Sequence, residues 1–150
     1  MSAEVYAAVL GDTPLNPGNV ERPSGGPVGQ VPTTTTPPPG TTPEEAVVSA
    51  TSLDCLWHDP RADITHIRVL MAEVDPAVGA AYLVGLAEDG YGCTDIHGGR
   101  RCHRTGPNER YPSAEEATTR FARDRVVISV DQVNFATDDL LGDIVDRIWG

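Results

Sequence analysis

The stretch TSLDCLWHDPRADITHIRVLMAEVDPAVGAAYLVGLAEDG, residues 51–90, contains the change of hydrophobic period that decides the fold. From Thr51 to His58 the residues alternate so that Leu53, Cys55 and Trp57 share one face, the two-residue period of a half-buried strand. Asp59, Pro60 and Asp63 supply a turn. Residues 64–74 then read as a second strand, with Ile67, Val69 and Met71 facing one way and His66, Arg68 and Leu70 the other, so a hairpin is expected. At Asp75 and Pro76 the period becomes helical, because Asp caps free amides and Pro loses nothing at the first helical position. Val78, Ala81, Tyr82 and Leu86 follow at helical spacing, and Gly90 closes the helix.

Downstream, YGCTDIHGGRRCHRT (residues 91–105) reads as two short extended arms around a turn at Gly98 and Gly99, with Cys93 and Cys102 astride it. Ser113 to Glu116 has capping-box spacing, so a helical turn is expected to lead into a strand over residues 117–123. A tight turn at Arg123 and Asp124 then opens RVVISVD (residues 125–131), with Val126, Ile128 and Val130 inward. The terminal helix is expected to be capped by Thr137 or Asp138 and to bury Leu141, Ile144, Val145 and Ile148. The expected architecture is α+β: an antiparallel sheet of about five strands carrying two main helices.

Upstream, residues 1–11 suggest a short helix from Ala3 to Leu10 that belongs to the main domain or stands apart from it. Residues 12–43 hold nine of the thirteen prolines and end in VPTTTTPPPGTTP. Such a tract is too poor in large apolar side chains to offset its ordering entropy, so it is expected to be a disordered loop or linker. Thr/Pro tracts also serve as glycosylated stalks in secreted proteins. The globular domain is expected over residues 44–150.

Charge removes whole classes of partner. A formal net charge of -11 opposes phosphate backbones and anionic headgroups, which argues against nucleic acid. No apolar run is long enough to span a bilayer, so no transmembrane segment is expected in the chain. Three cysteines leave one over when two pair, which leads to the expectation of an upstream segment carrying a partner cysteine and an export signal, with a thiol-rich cytosolic protein as the alternative.

Candidate chemistry is sparse. Cys93, Asp95, His97, Cys102 and His103 are zinc-ligand types, but their spacing matches no common finger, and neighbours on an extended arm point to opposite sides. A Cys93–Cys102 disulfide is the stronger reading, with structural zinc as an alternative. Asp54, Cys55 and His58 invite a thiol-nucleophile reading, although Cys55 and His58 fall on opposite faces of one strand. Trp57, Tyr82, Tyr91 and Tyr111, with Arg68, Arg100 or Arg101, are candidates to hold an acidic or amphipathic ligand in a cleft between sheet and helix. No catalytic, cofactor-binding or metal-binding signature is present.

LDCLWHDP, the GC…GGRRC segment, RFARDRVVISVDQ and LLGDIVDRIWG together resemble functionally unassigned domains of secreted or lipid-anchored actinobacterial envelope proteins. The resemblance covers Leu53 to Gly150. It implies an extracytoplasmic location, a lipid-bearing cysteine upstream, and an additional N-terminal cysteine that pairs into the fold; the chain carries neither cysteine. The expected function is a non-catalytic binding or interaction domain whose partner is a small molecule, an envelope component or a protein. The alternatives are a small hydrolase or thiol enzyme using a Cys/His pair, and a domain with structural zinc.

Overall fold

The computed structural model describes residues 7, 10–17, 38–59, 61, 62, 64–137 and 139–150. Within them the elements run α1 (Pro43–Ser49), β1 (Thr51–His58), β2 (His66–Glu73), α2 (Pro76–Glu88), β3 (Gly92–Ile96), β4 (Gly99–Pro107), β5 (Glu115–Arg123), β6 (Val126–Val133) and α3 (Leu140–Trp149). The strands form one antiparallel sheet in the order β1-β2-β6-β5-β4-β3. The class is α+β, as expected; there are six strands because both Cys-bearing arms pair in register, Cys93 opposite Cys102. Between β2 and β3, α2 carries the chain across the sheet to its far edge.

Both faces of the sheet are covered. Ile67, Val69, Phe121, Ile128 and Val130 pack with Leu140, Leu141 and Val145 of α3. The intervening positions, among them Ala72, Cys102 and Val127, pack with Val47 of α1 and with Tyr82 and Leu83 of α2. This double layering corrects the reading of the first strand. Cys55 and Trp57 are half-buried against the α3-side core, whereas Asp54 and Leu56 on the opposite face are more deeply buried and Leu53 is 40% exposed. Under α1 and α2 the sheet instead carries a polar line. Asp54 is 2% exposed and accepts two bonds from Arg68, Nε to Oδ1 at 3.0 Å and NH2 to Oδ2 at 2.9 Å. Arg68 stands opposite Asp131, Asp131 accepts from Arg120 at 2.7 Å, and Arg120 Nε donates to the Tyr82 hydroxyl at 3.2 Å. Burial raises the Tyr82 phenol above its usual range, against the pull of Arg120.

Local signals account for most helix ends. Asp75 caps α2 by accepting from Ala77 N at 2.8 Å. Thr42 and Glu45 form a reciprocal capping box on α1, and those bonds lower the Glu45 carboxyl. α3 is capped by Asp139, which accepts from Gly142 N at 3.0 Å, rather than by Thr137; Asp138 lies outside the described residues. Its buried face is Leu140, Leu141 and Val145, with Ile148 at 38% exposure. Ala81 of α2 is likewise exposed, and Gly79 is buried in its place against Val127. Ser113–Glu116 forms no helical turn: β5 already starts at Glu115, where pairing with β4 outweighs a local cap.

The β3–β4 turn is His97–Gly98 rather than the two glycines. Both residues have positive φ, 53° and 72°, as a two-residue I′ hairpin requires. Gly99 serves a different need, since a Cβ there would lie 2.5 Å from both the Ala122 carbonyl oxygen and the Phe121 ring. The Cys93–Cys102 disulfide staples this hairpin, the covalent chemistry of an oxidising, extracytoplasmic compartment. Its sequence separation of 9 corresponds to about 2.5 kcal/mol on chain-entropy grounds. Reduction is therefore expected to lower the unfolding free energy by about that amount in urea titrations run with and without reductant. An unchanged midpoint would mean that the β-ladder alone fixes the hairpin.

Residues 10–17 are part of this body. Most of the expected Ala3–Leu10 helix lies outside the described residues, but Leu10 is 3% exposed within the α3-side core. Leu15 bridges Trp57, Asn16 N donates to Leu56 O at 2.6 Å, and His58 N donates to Pro14 O at 3.1 Å. The ends of the 12–43 stretch are therefore built into the domain by backbone pairing and helix capping, which large apolar side chains are not needed for. Residues 18–37, the rest of that expected tract, lie outside the described residues.

Candidate functional site

Two adjoining cavities open on the α3 side of the sheet, of about 460 and 240 Å³. His103, Gln132 and Thr137 border both, so they form one cleft. The smaller chamber, mostly polar, lies between Arg101 and Thr119 and the first turn of α3, with Asp139, Leu140 and Leu141. The larger chamber has more apolar wall, supplied by Ala117, Phe135 and Ala136, with Glu115 and Asn134 at its far end.

The pleat puts these side chains together. Arg101 and His103 are two apart on β4 and project to the same side, opposite to Cys102. Across the ladder, His103 pairs with Thr119 of β5, and its Nδ1 lies 2.9 Å from the Thr119 hydroxyl. Gln132 of β6 donates to Phe135 O at 3.2 Å and to Thr137 Oγ1 at 3.0 Å, fixing residues 135–137 as one wall. Burial, then the neighbouring Arg101 charge, lower the His103 pKa, which favours the neutral imidazole. Asp139 accepts from Gly142 N through Oδ1, and its Oδ2 lies 3.9 Å from His97 Nε2.

The four candidate contacts read from sequence are not brought together. Trp57 faces the α3 side, and Arg68, Tyr82 and Tyr91 the other. Arg68 is held by Asp54, Tyr82 by Arg120, and Tyr91 lies 4.5 Å beneath the Arg104 guanidinium. Of the arginines considered with them, Arg101 lines the cleft, while Arg100 points away and stands 3.6 Å from Asp95. Phe135 and Thr137 were missed because nothing in their spacing marks a connecting segment as a wall, and Gln132 because a polar position on a strand reads as an outward one.

The rival chemistries lose their groups. Cys93 and Cys102 are bonded to each other, and among the described residues no three His, Cys, Asp or Glu side chains stand together as a metal set. Cys55 is unbridged, and burial followed by the Asp54 charge raise its thiol pKa, the reverse of what a thiolate nucleophile needs. His58 directs Nδ1 to Thr65 O at 3.1 Å. Among the described residues no helix is long and apolar enough to cross a membrane. No protein family, curated protein or solved structure matches the chain.

Proposed function

We propose that the chain is a non-catalytic, extracytoplasmic binding domain, secreted or lipid-anchored, of an envelope protein of the kind that Leu53 to Gly150 resembles, and that the cleft beside α3 receives a small molecule. The observation that carries this reading is the cleft itself. Its two chambers share His103, Gln132 and Thr137, and together they reach the size range of small-molecule sites. The disulfide supports the location, and the raised Cys55 thiol supports binding over thiol catalysis.

Amide chemical shifts of the oxidised chain, followed against a library of small organic fragments, test this. Hits are expected to move Thr105, Ala117, Thr119, Gln132 and Thr137 together, and Ala117→Trp, which fills the larger chamber, is expected to abolish them with the fold intact. Fragments that bind only elsewhere, or a library without hits, would overturn the reading.

A further inference from the structure

We propose, on the basis of that cleft reading, that its ligand is a small monocarboxylate with an apolar tail, the carboxylate seated on Arg101 and the tail lying between Ala117, Phe135 and Ala136. Arg101 carries the argument. Six of the described arginines stand within 4 Å of a carboxylate, and Arg104 and Arg110 lie over tyrosine rings. Arg101 has no such partner among the described residues, and its Nε is closed off from solvent without a hydrogen bond. Burying that one nitrogen without an acceptor is costly, while NH1 and NH2 of the half-buried side chain make no hydrogen bond among the described residues and present the edge that matches a carboxylate in two parallel bonds. In a chain with 22 acids to 11 bases, an arginine left without an acid on the wall of a cavity is a place for an acid from outside.

The rest of the cleft narrows the class. Asp139 shares the smaller chamber but stands more than 4 Å from the Arg101 guanidinium, so it does not fill the acceptor position. Arg101 is the one arginine lining the smaller chamber, and Asp139 across from it holds Gly142 N through Oδ1, so the chamber suits a single anionic group placed at Arg101. The larger chamber offers Ala117, Phe135 and Ala136 to a tail, and Glu115 at its far end opposes a second anion. The net charge of -11 repels anions at long range, so the preference is a short-range property of Arg101.

Octanoate, octanol, octylammonium and suberate, titrated into the oxidised full chain by calorimetry and amide shifts, separate the possibilities. Octanoate is expected to bind at least about tenfold more tightly than octanol or suberate, with octylammonium weakest. Arg101→Gln is expected to erase the preference for octanoate while octanol binding stays, and Arg101→Lys to keep part of it. The wild-type comparison does not depend on how either variant folds. Equal binding of octanoate and octanol within the cleft would overturn the anion assignment and leave the cleft reading standing. Failure of every probe to move cleft amides, together with a fragment library that finds nothing there, would remove both.

Discussion

Asp54→Ala is expected to cost about 3 kcal/mol of stability, because it strips the acid from a guanidinium already drawn under α1 and α2. Asp54 is 2% exposed and receives Arg68 through two bonds, so its loss leaves Arg68 with its charge and without its principal acceptor. Arg68 is itself 23% exposed at the side chain, which keeps the cost toward the low end of the range for broken buried pairs. Asp131 opposite Arg68 offers little relief, since it already accepts from Arg120 at 2.7 Å. Removing both charges is a different matter: Asp54→Ala with Arg68→Met is expected to be less destabilising than Asp54→Ala alone, since no ion is then left unpaired. Urea titrations of the four proteins in the cycle give the coupling directly. A single-variant cost under about 1 kcal/mol would show that Arg68 reaches water once its partner is gone.

Phe121→Ala is expected to cost about 3 to 5 kcal/mol, the range for emptying an aromatic site in a packed core. Phe121 is 0% exposed and is the largest fully buried side chain described. Its ring meets Trp149 edge-on at 6.3 Å, and Arg123, two residues along β5, lies 4.8 Å over Trp149 and donates to His97 O at 3.2 Å. One ring therefore joins the β3–β4 turn, β5 and the last residue of α3. The same ring helps forbid a side chain at Gly99. Gly99→Ala is consequently expected to cost less in the Phe121→Ala background than in the wild type, although the Ala122 carbonyl remains in the way. Far-ultraviolet circular dichroism during urea unfolding reports both variants. A Phe121→Ala loss below about 1.5 kcal/mol would mean that α3 settles into the void.

The hairpin of β1 and β2, the Asp75 start of α2 and the disulfide were legible because each rests on local chemistry: a two-residue period, a cap, and two cysteines astride a turn. The exposed Leu53 and the buried Asp54 were not. Alternation identifies an apolar face, but it cannot say that helices also cover the polar one, where Asp54, Arg68, Asp131 and Arg120 satisfy one another across strands distant in sequence. The site was legible only as an inventory that included Arg101. Adjacent arginines on a strand point to opposite faces, and only the register set by the His97–Gly98 turn sends Arg101 into the cleft and Arg100 toward Asp95. The cleft wall at residues 135–137 depends on Gln132, whose role as a clamp exists only once β6 is in place.

Pro17 is buried beside the outer edge of β1, and Pro38 accepts from Thr41 just ahead of α1. The residues on either side of 18–37 thus belong to the same body. A segment whose two ends are both held in one body joins no second body to it, so the stretch between Pro17 and Pro38 is an insertion in this domain and not a linker between two. A sugar or a partner attached along Thr33 to Thr36 would be confined near the domain, at a local concentration set by the closed contour. Hydrolysis of one peptide bond there would separate no domains, leaving two fragments joined through Leu10 in the core and through Asn16 against Leu56.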